Sequence, residues 1–202
     1  TGQLLSFQEI EQITQTASQK SDAIVVIDEA YLEFSNGESS LSLVTKYPNL
    51  CVLRTFSKAW GLASVRLGYI AANPSVVNQL QKVKTLLDIN LFAIKAVSLL
   101  IDNYHLVESH IEEIKLSKRY IGTSLSSHNI EHFLGNANFV HFRPPFPIDP
   151  NQFAAALGSY SFRVRSTNQT NTVLDGCIRI TIGSQEQMLA FASSISELLE
   201  NH

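Results

Sequence analysis

The sequence is short of the features that mark several protein classes. It holds 2 cysteines, Cys51 and Cys177, each inside an apolar run. No disulfide framework is therefore expected, and two buried thiols suit a reducing, cytoplasmic setting. Charged residues make up 16% of the chain and the net charge is −3, which leaves no electrostatic footprint for nucleic acid. No uncharged apolar run reaches the ~18 residues of a membrane span. The first residues lack a basic stretch followed by an apolar core, so a signal peptide is not expected there. Nothing reads H-E-x-x-H, and His128 and His132, four apart, have no further ligands alongside, so no metal site is expected. The composition shows no linker between domains.

What the chain does have is apolar material, 45% of its 202 residues. That is enough for one large domain or two small ones with real cores. Ser6 and Glu9 form a capping box, and Phe7, Ile10, Ile13 and Ala17 follow at helical spacing, predicting a helix over 7–19. Ala23 to Ile27 is a continuous apolar run, the pattern of a parallel strand buried on both faces. It ends in Asp28-Glu29-Ala30-Tyr31, and carboxyl ends of such strands are where α/β sheets place ligand groups. Glu29 is expected to point away and be structural.

The stretch from 50 to 72 holds the most chemistry. Leu50–Leu53 reads as a buried strand and Leu67–Ala72 as another. Between them lie Thr55, Phe56, Ser57 and Lys58, a small-residue turn through Gly61, Ala63 and Ser64, and then Arg66. Lysine is seldom fully buried without a partner. If buried here it becomes a usable amine nucleophile, and a neighbouring arginine strengthens that effect. The same arginine, with the hydroxyls of Thr55 and Ser57, suits a phosphate. Taken singly, Lys58 and Arg66 would pass for ordinary surface residues.

Further along, Asn36-Gly37 marks a turn in a polar loop over 35–49. Pro74 opens a helix predicted to 87. A helical pattern without proline runs from Leu91 to about Ser124, with His105 and His110 on its solvent side. Asn138–Phe142 reads as a strand, 150–158 as a short helix, and Phe162 to Arg165 as a second alternating strand. Ile178, Ile180 and Ile182 alternate with Arg179 and Thr181. A last helix spans 184–200.

The pattern S-K-x-x-G-x-x-x-x-R-x-G between two apolar runs resembles the Schiff-base lysine segment of the fold type I pyridoxal-phosphate aminotransferases. Within that family its wording is most like the histidinol-phosphate aminotransferase group. Several other segments carry the likeness: V-V-I-D-E-A-Y over 25–31, N-F-V-H-F over 138–142 and C-I-R-I-T-I-G over 177–183. It is loose between 85 and 135, where T-L-L-D-I-N-L-F stands for the family's Pro-Tyr-Asn-type turn and Asn90 for its asparagine.

The resemblance implies the fold, an α/β arrangement. It comprises the rear part of the fold type I large domain, with an incomplete, mainly parallel sheet over 1–100, and a small C-terminal α+β domain over 101–202. It implies pyridoxal 5'-phosphate as cofactor, held by Asp28 at the pyridine nitrogen, Tyr31 at the phenolic oxygen, Lys58 as the imine-forming amine and proton carrier, and Thr55, Ser57 and Arg66 at the phosphate. Asn138 and Arg179 would hold the substrate carboxylate and Arg165 a distal phosphate. The partners implied are a small-molecule amino donor and a 2-oxo acid, with a homodimer completing the site. Thr1-Gly2 matches the end of the family's N-P-x-G turn, so the sequence is expected to be the rear portion of a longer enzyme and inactive alone. A threonine-phosphate decarboxylase shares nearly all these residues, and a folded non-catalytic fragment is a further alternative.

Overall fold

The computed structural model describes residues 2–20, 23–85, 89–145, 147–167 and 172–200. They fall into two compact units, Leu4–Ser109 and His110–His202 with Thr1–Gln3.

The unit Leu4–Ser109 opens with α1 (Phe7–Lys20). The capping box forms as the sequence implies: the Ser6 N–H donates to Glu9 Oε2 at 2.7 Å and the Glu9 N–H to Ser6 Oγ at 3.2 Å. Strands β1 (Val25–Asp28), β2 (Leu50–Thr55) and β3 (Gly68–Ala72) follow. They make a sheet of order β1-β2-β3, parallel in the first pairing and antiparallel in the second. Ile10 of α1 packs with Leu43, Leu50 and Val52 as the core, joined by Phe7, Val25 and Ile27.

Among the described residues the sheet's other face is only partly covered. Ile24, Val26 and Ile70 are 49%, 55% and 46% exposed and line an apolar groove with Leu53, Val76 and Leu80. The run Ala23–Ile27 was expected to be buried on both faces. The strand instead begins at Val25 and alternates in burial, because among the described residues α1 packs on the Val25/Ile27 face while the Val26 face lines the groove.

Helix α2 (Pro74–Val83) starts on an Asn73 cap, whose side chain accepts the Ser75 N–H, and ends four residues before the predicted boundary. The predicted helix from 91 to 124 is two helices, α3 (Leu91–Asp102) and α4 (Tyr104–Ser127). Asn103 makes the break: its side chain and its N–H both turn back on the Leu99 carbonyl. Such local bonding by asparagine competes with continuing the helix.

The second unit contains β4 (His132–Phe133), β5 (Phe139–Phe142), α5 (Pro150–Ser159), β6 (Arg165–Thr167), β7 (Cys177–Thr181) and α6 (Gln185–Glu200). The four strands form an antiparallel sheet of order β4-β5-β7-β6. Alternation sorts its faces. Phe142, Ile178 and Ile180 are buried, and Phe142 meets Phe153 of α5 and Phe191 of α6 edge-on. Phe139, His141, Arg179 and Arg165 take the opposite face by strand alternation and register. The strand expected from Phe162 starts only at Arg165. His105 is exposed and His110 half-buried.

Candidate active site

In the first unit Asp28 pairs with Leu53 across parallel strands, so β1 and β2 end side by side. The segments just beyond those ends are Glu29–Tyr31 and Ser57–Lys58. Asp28 is exposed, and its Oδ1 accepts the Ala30 N–H at 3.0 Å, which fixes the turn out of β1. Glu29 turns the other way and is 5% exposed. It accepts from the Ser40 N–H at 2.6 Å, the Ser39 hydroxyl at 2.7 Å and Arg54 at 2.8 Å. Burial pushes the Glu29 carboxyl up, but these donors outweigh it and hold the carboxyl below its ordinary range. Arg54, on β2, also reaches Glu33 at 3.1 Å. The structural role expected of Glu29 is therefore that of an anchor, tying the segment after β1 to β2.

Lys58 is half-buried, less enclosed than the sequence suggests. Its Nζ lies 5.2 Å from the centre of the Tyr31 ring, a cation–π distance. The Ser57 N–H donates to Thr55 Oγ1 at 3.0 Å and the Gly61 N–H to the Lys58 carbonyl at 3.0 Å, so the turn is built from its own backbone and hydroxyls. Arg66 sits in the left-handed region, φ 57°, and bonds the Ala63 carbonyl at 2.9 Å. Two residues on, β3 approaches β2 so closely that a Cβ at Gly68 would stand 2.6 Å from the Arg54 carbonyl oxygen. Only glycine fits that contact.

Asp28, Thr55, Ser57, Lys58 and Arg66 all line one open cavity of about 950 Å³. Tyr31 joins them through Lys58. The six residues singled out in this half of the sequence therefore meet in one place. Asn90 caps α3 through the Ala93 N–H at 2.8 Å and donates to the Val65 carbonyl at 3.3 Å, one residue before Arg66. The rest of the T-L-L-D-I-N-L-F departure includes residues 86–88, which lie outside the described residues, as does Thr1 of the predicted Thr1-Gly2 turn.

The second unit gathers the other three candidates on or beside one sheet. Arg165 and Arg179 are cross-strand partners, and His141 is the partner of Arg179 on its other side. Asn138 directly precedes β5, and its carbonyl accepts the Ile182 N–H at 2.8 Å. Lys118 of α4 donates to the Gly135 and Ala137 carbonyls at 3.0 and 2.9 Å, fixing the segment that delivers Asn138. Burial, with Lys115 adding, lowers the Lys118 pKa.

Sequence reasoning did not single out Arg54, Lys118, Phe139 or His141. Arg54 carried a signal: a lone charge in an apolar strand, within reach of an acid-rich turn. His128 bonds the Ser124 carbonyl and the Ser196 hydroxyl, and His132 bonds the Ile130 carbonyl. Among the described residues no group of three or more His, Cys, Asp or Glu gathers as metal ligands, and no helix is long and apolar enough to cross a membrane. Cys51 and Cys177 are both buried free thiols.

The family model for aminotransferases of class I and II matches residues 1–195. A histidinol-phosphate aminotransferase of Pelodictyon phaeoclathratiforme is 34% identical over 194 residues, which are 94% of this chain and 52% of that protein. The chain thus spans about half the length of that relative. Two solved structures share the fold. The histidinol-phosphate aminotransferase of Clostridium acetobutylicum matches with a TM-score of 0.88 at 21% identity, covering 100% of this chain and 61% of that one. That of Sinorhizobium meliloti, in complex with pyridoxal-5'-phosphate, gives 0.81 at 22%, covering 95% and 53%.

Proposed function

The chain belongs to the class I and II aminotransferase family, and from that premise we propose that it carries much of the active site of a pyridoxal-phosphate-dependent aminotransferase acting on histidinol-phosphate-like substrates. The observation that supports this most is the convergence of Asp28, Thr55, Ser57, Lys58 and Arg66 on one cavity, with Tyr31 against the Lys58 amine. The donor set suits the cofactor. It offers a carboxylate for a protonated ring nitrogen, a phenol for the ring oxygen, an amine for covalent attachment, and two hydroxyls with a guanidinium for a phosphate.

When bound, pyridoxal phosphate supplies an electron sink for the substrate Cα. The protein's part is to bind, orient and move protons. Asp28 holds the proton at the ring nitrogen. Tyr31 donates to the phenolic oxygen. Lys58 Nζ would hold the cofactor covalently and, when free, would carry a proton to and from the substrate carbon as general base. Arg66, Ser57 and Thr55 bind the phosphate. Arg179 takes the substrate carboxylate as a two-pronged pair beside Asn138, and Arg165 takes a distal phosphate. In this reading the unit Leu4–Ser109 is the cofactor-binding part and the other unit the small domain. The enzyme is a cytoplasmic homodimer in histidine biosynthesis, with a 2-oxo acid as amino acceptor.

The test is borohydride reduction of the full-length protein loaded with pyridoxal phosphate, followed by peptide mapping and product analysis with histidinol phosphate and 2-oxoglutarate. The label is expected on Lys58, with glutamate as product. A label on another lysine overturns the site. Carbon dioxide release from a phosphorylated amino acid, without amino transfer, would assign a decarboxylase instead.

A further inference from the structure

The face of the second sheet that carries Arg179 holds a contact the proposed roles do not use. The Arg179 guanidinium lies 4.7 Å above the centre of the Phe139 ring. Phe139 is 8% exposed and held from two further sides. His141, two residues along β5 and on the same face, meets it edge-on at 5.3 Å and 82°. Gly2 closes against its rim: with φ 78° it needs glycine's freedom, and a Cβ there would stand 3.2 Å from Phe139 Cε2. The ring is therefore fixed before any ligand arrives.

An arginine side chain has several free torsions, and ordering them on binding costs affinity. A cation held over an aromatic face has already given up much of that freedom. His141 reinforces the arrangement. It is 4% exposed, with no hydrogen-bond partner for its Nδ1 among the described residues. Burial, with the Arg179 charge adding, lowers its pKa. A neutral imidazole beside Arg179 does not compete with it for an anion.

We infer that Phe139 is a positioning residue: its ring is the shelf on which Arg179 is held ready for the substrate carboxylate. This rests on the carboxylate role proposed for Arg179. The shelf acts through ring electrostatics as well as shape, which separates it from simple packing.

The test replaces Phe139 by mono-, di- and trifluorophenylalanine in the full-length, cofactor-loaded protein, since fluorine drains the ring face of negative charge with little change of volume. The KM for the amino-acid substrate is expected to climb stepwise, by at least about two- to fivefold across the series, the lower end of the scale for a cation–π contact. The kcat should stay within about twofold, because the contact aids ground and transition state alike. Phe139→Leu should raise KM similarly and Phe139→Tyr should restore it. A KM that ignores fluorination overturns the shelf. If the unsubstituted protein transfers no amino group, the functional reading has failed by itself. Maleate affinity by calorimetry across the same series then decides the shelf: stepwise weakening supports it, and flat or absent binding overturns it.

Discussion

Arg165 and Arg179 stand opposite one another on adjacent antiparallel strands, two like charges in directly paired positions. Like charges placed so are destabilising, and the two anionic groups proposed to bind there would offset that cost. The roles proposed for the two arginines separate by substrate. Arg179→Ala should weaken every amino-acid substrate, whereas Arg165→Ala should weaken only those with a distal phosphate. Each loss should be roughly tenfold to a hundredfold in KM, the scale of one charged hydrogen bond. Steady-state kinetics with histidinol phosphate and with a phosphate-free amino acid would reveal the split. Equal losses on both substrates for Arg165→Ala would remove its phosphate role.

Among the described residues the Asp28 carboxylate accepts the Ala30 N–H, and it lines the open cavity. Asp28→Ala in the full-length enzyme should cut kcat on the order of a hundredfold, the scale of losing one oriented electrostatic group. The absorbance spectrum of the bound cofactor should change with it. Near-normal turnover would make the carboxylate a turn-former only.

His141 makes stability depend on pH in a stated direction. Burial first, with Arg179 adding, depresses its folded pKa below the ordinary value near 6.5. The unfolded chain therefore binds the extra proton more readily. The contribution of His141 is fully present above about pH 6.5 and is lost as pH falls from there toward the depressed folded value. Thermal unfolding from pH 8 to 5 should show this fall. His141→Phe should flatten that part of the profile, and an unchanged slope would assign it to other groups.

The Glu29–Arg54–Glu33 cluster predicts a stability loss without a chemical role. Arg54→Met strands the buried Glu29, whose side chain is 4% exposed. Breaking such a pair from one side should cost about 3 kcal/mol, read as a lower urea midpoint. Arg54→Lys should recover only part of it, since one ammonium does not span two carboxylates as a guanidinium does. A midpoint within error of the parent would show the cluster to be solvated.

The 202-residue chain alone is expected to bind pyridoxal phosphate weakly or not at all and to transfer no amino groups. Among the described residues Ile24, Val26 and Ile70 are about half exposed on one face, and apolar surface of this kind favours association. Sedimentation should find oligomers. Measurable amino transfer by this chain, with no longer species present by mass spectrometry, would defeat the expectation.

Much of this was legible from local signals. The capping box, the β1 and β2 runs and the Ile178/Ile180 alternation each depend on neighbours within one element, and each formed close to where the pattern put it. The convergence of Asp28 and Lys58 was readable because parallel strands end together. Asn103 escaped because a helical pattern continues on both sides of it and only backbone competition breaks it. The one-sided burial of β1 escaped because an apolar run records what a strand tolerates, not what is there to cover it. Phe139 and His141 escaped because cross-strand register decides which residues become neighbours, and the pairing of β5 with β7 joins positions some forty residues apart.

Arg66 offers a last consequence. A non-glycine residue at φ 57° carries backbone strain of about 1 kcal/mol or more, and glycine or asparagine would sit there more comfortably. A laboratory selection that rewards heat resistance alone should therefore drift toward those residues and discard the guanidinium. Run with a cofactor requirement, the same selection should keep the arginine and find its gains elsewhere. The position is a place where durability and chemistry favour different amino acids, and the residue present marks which of them has prevailed.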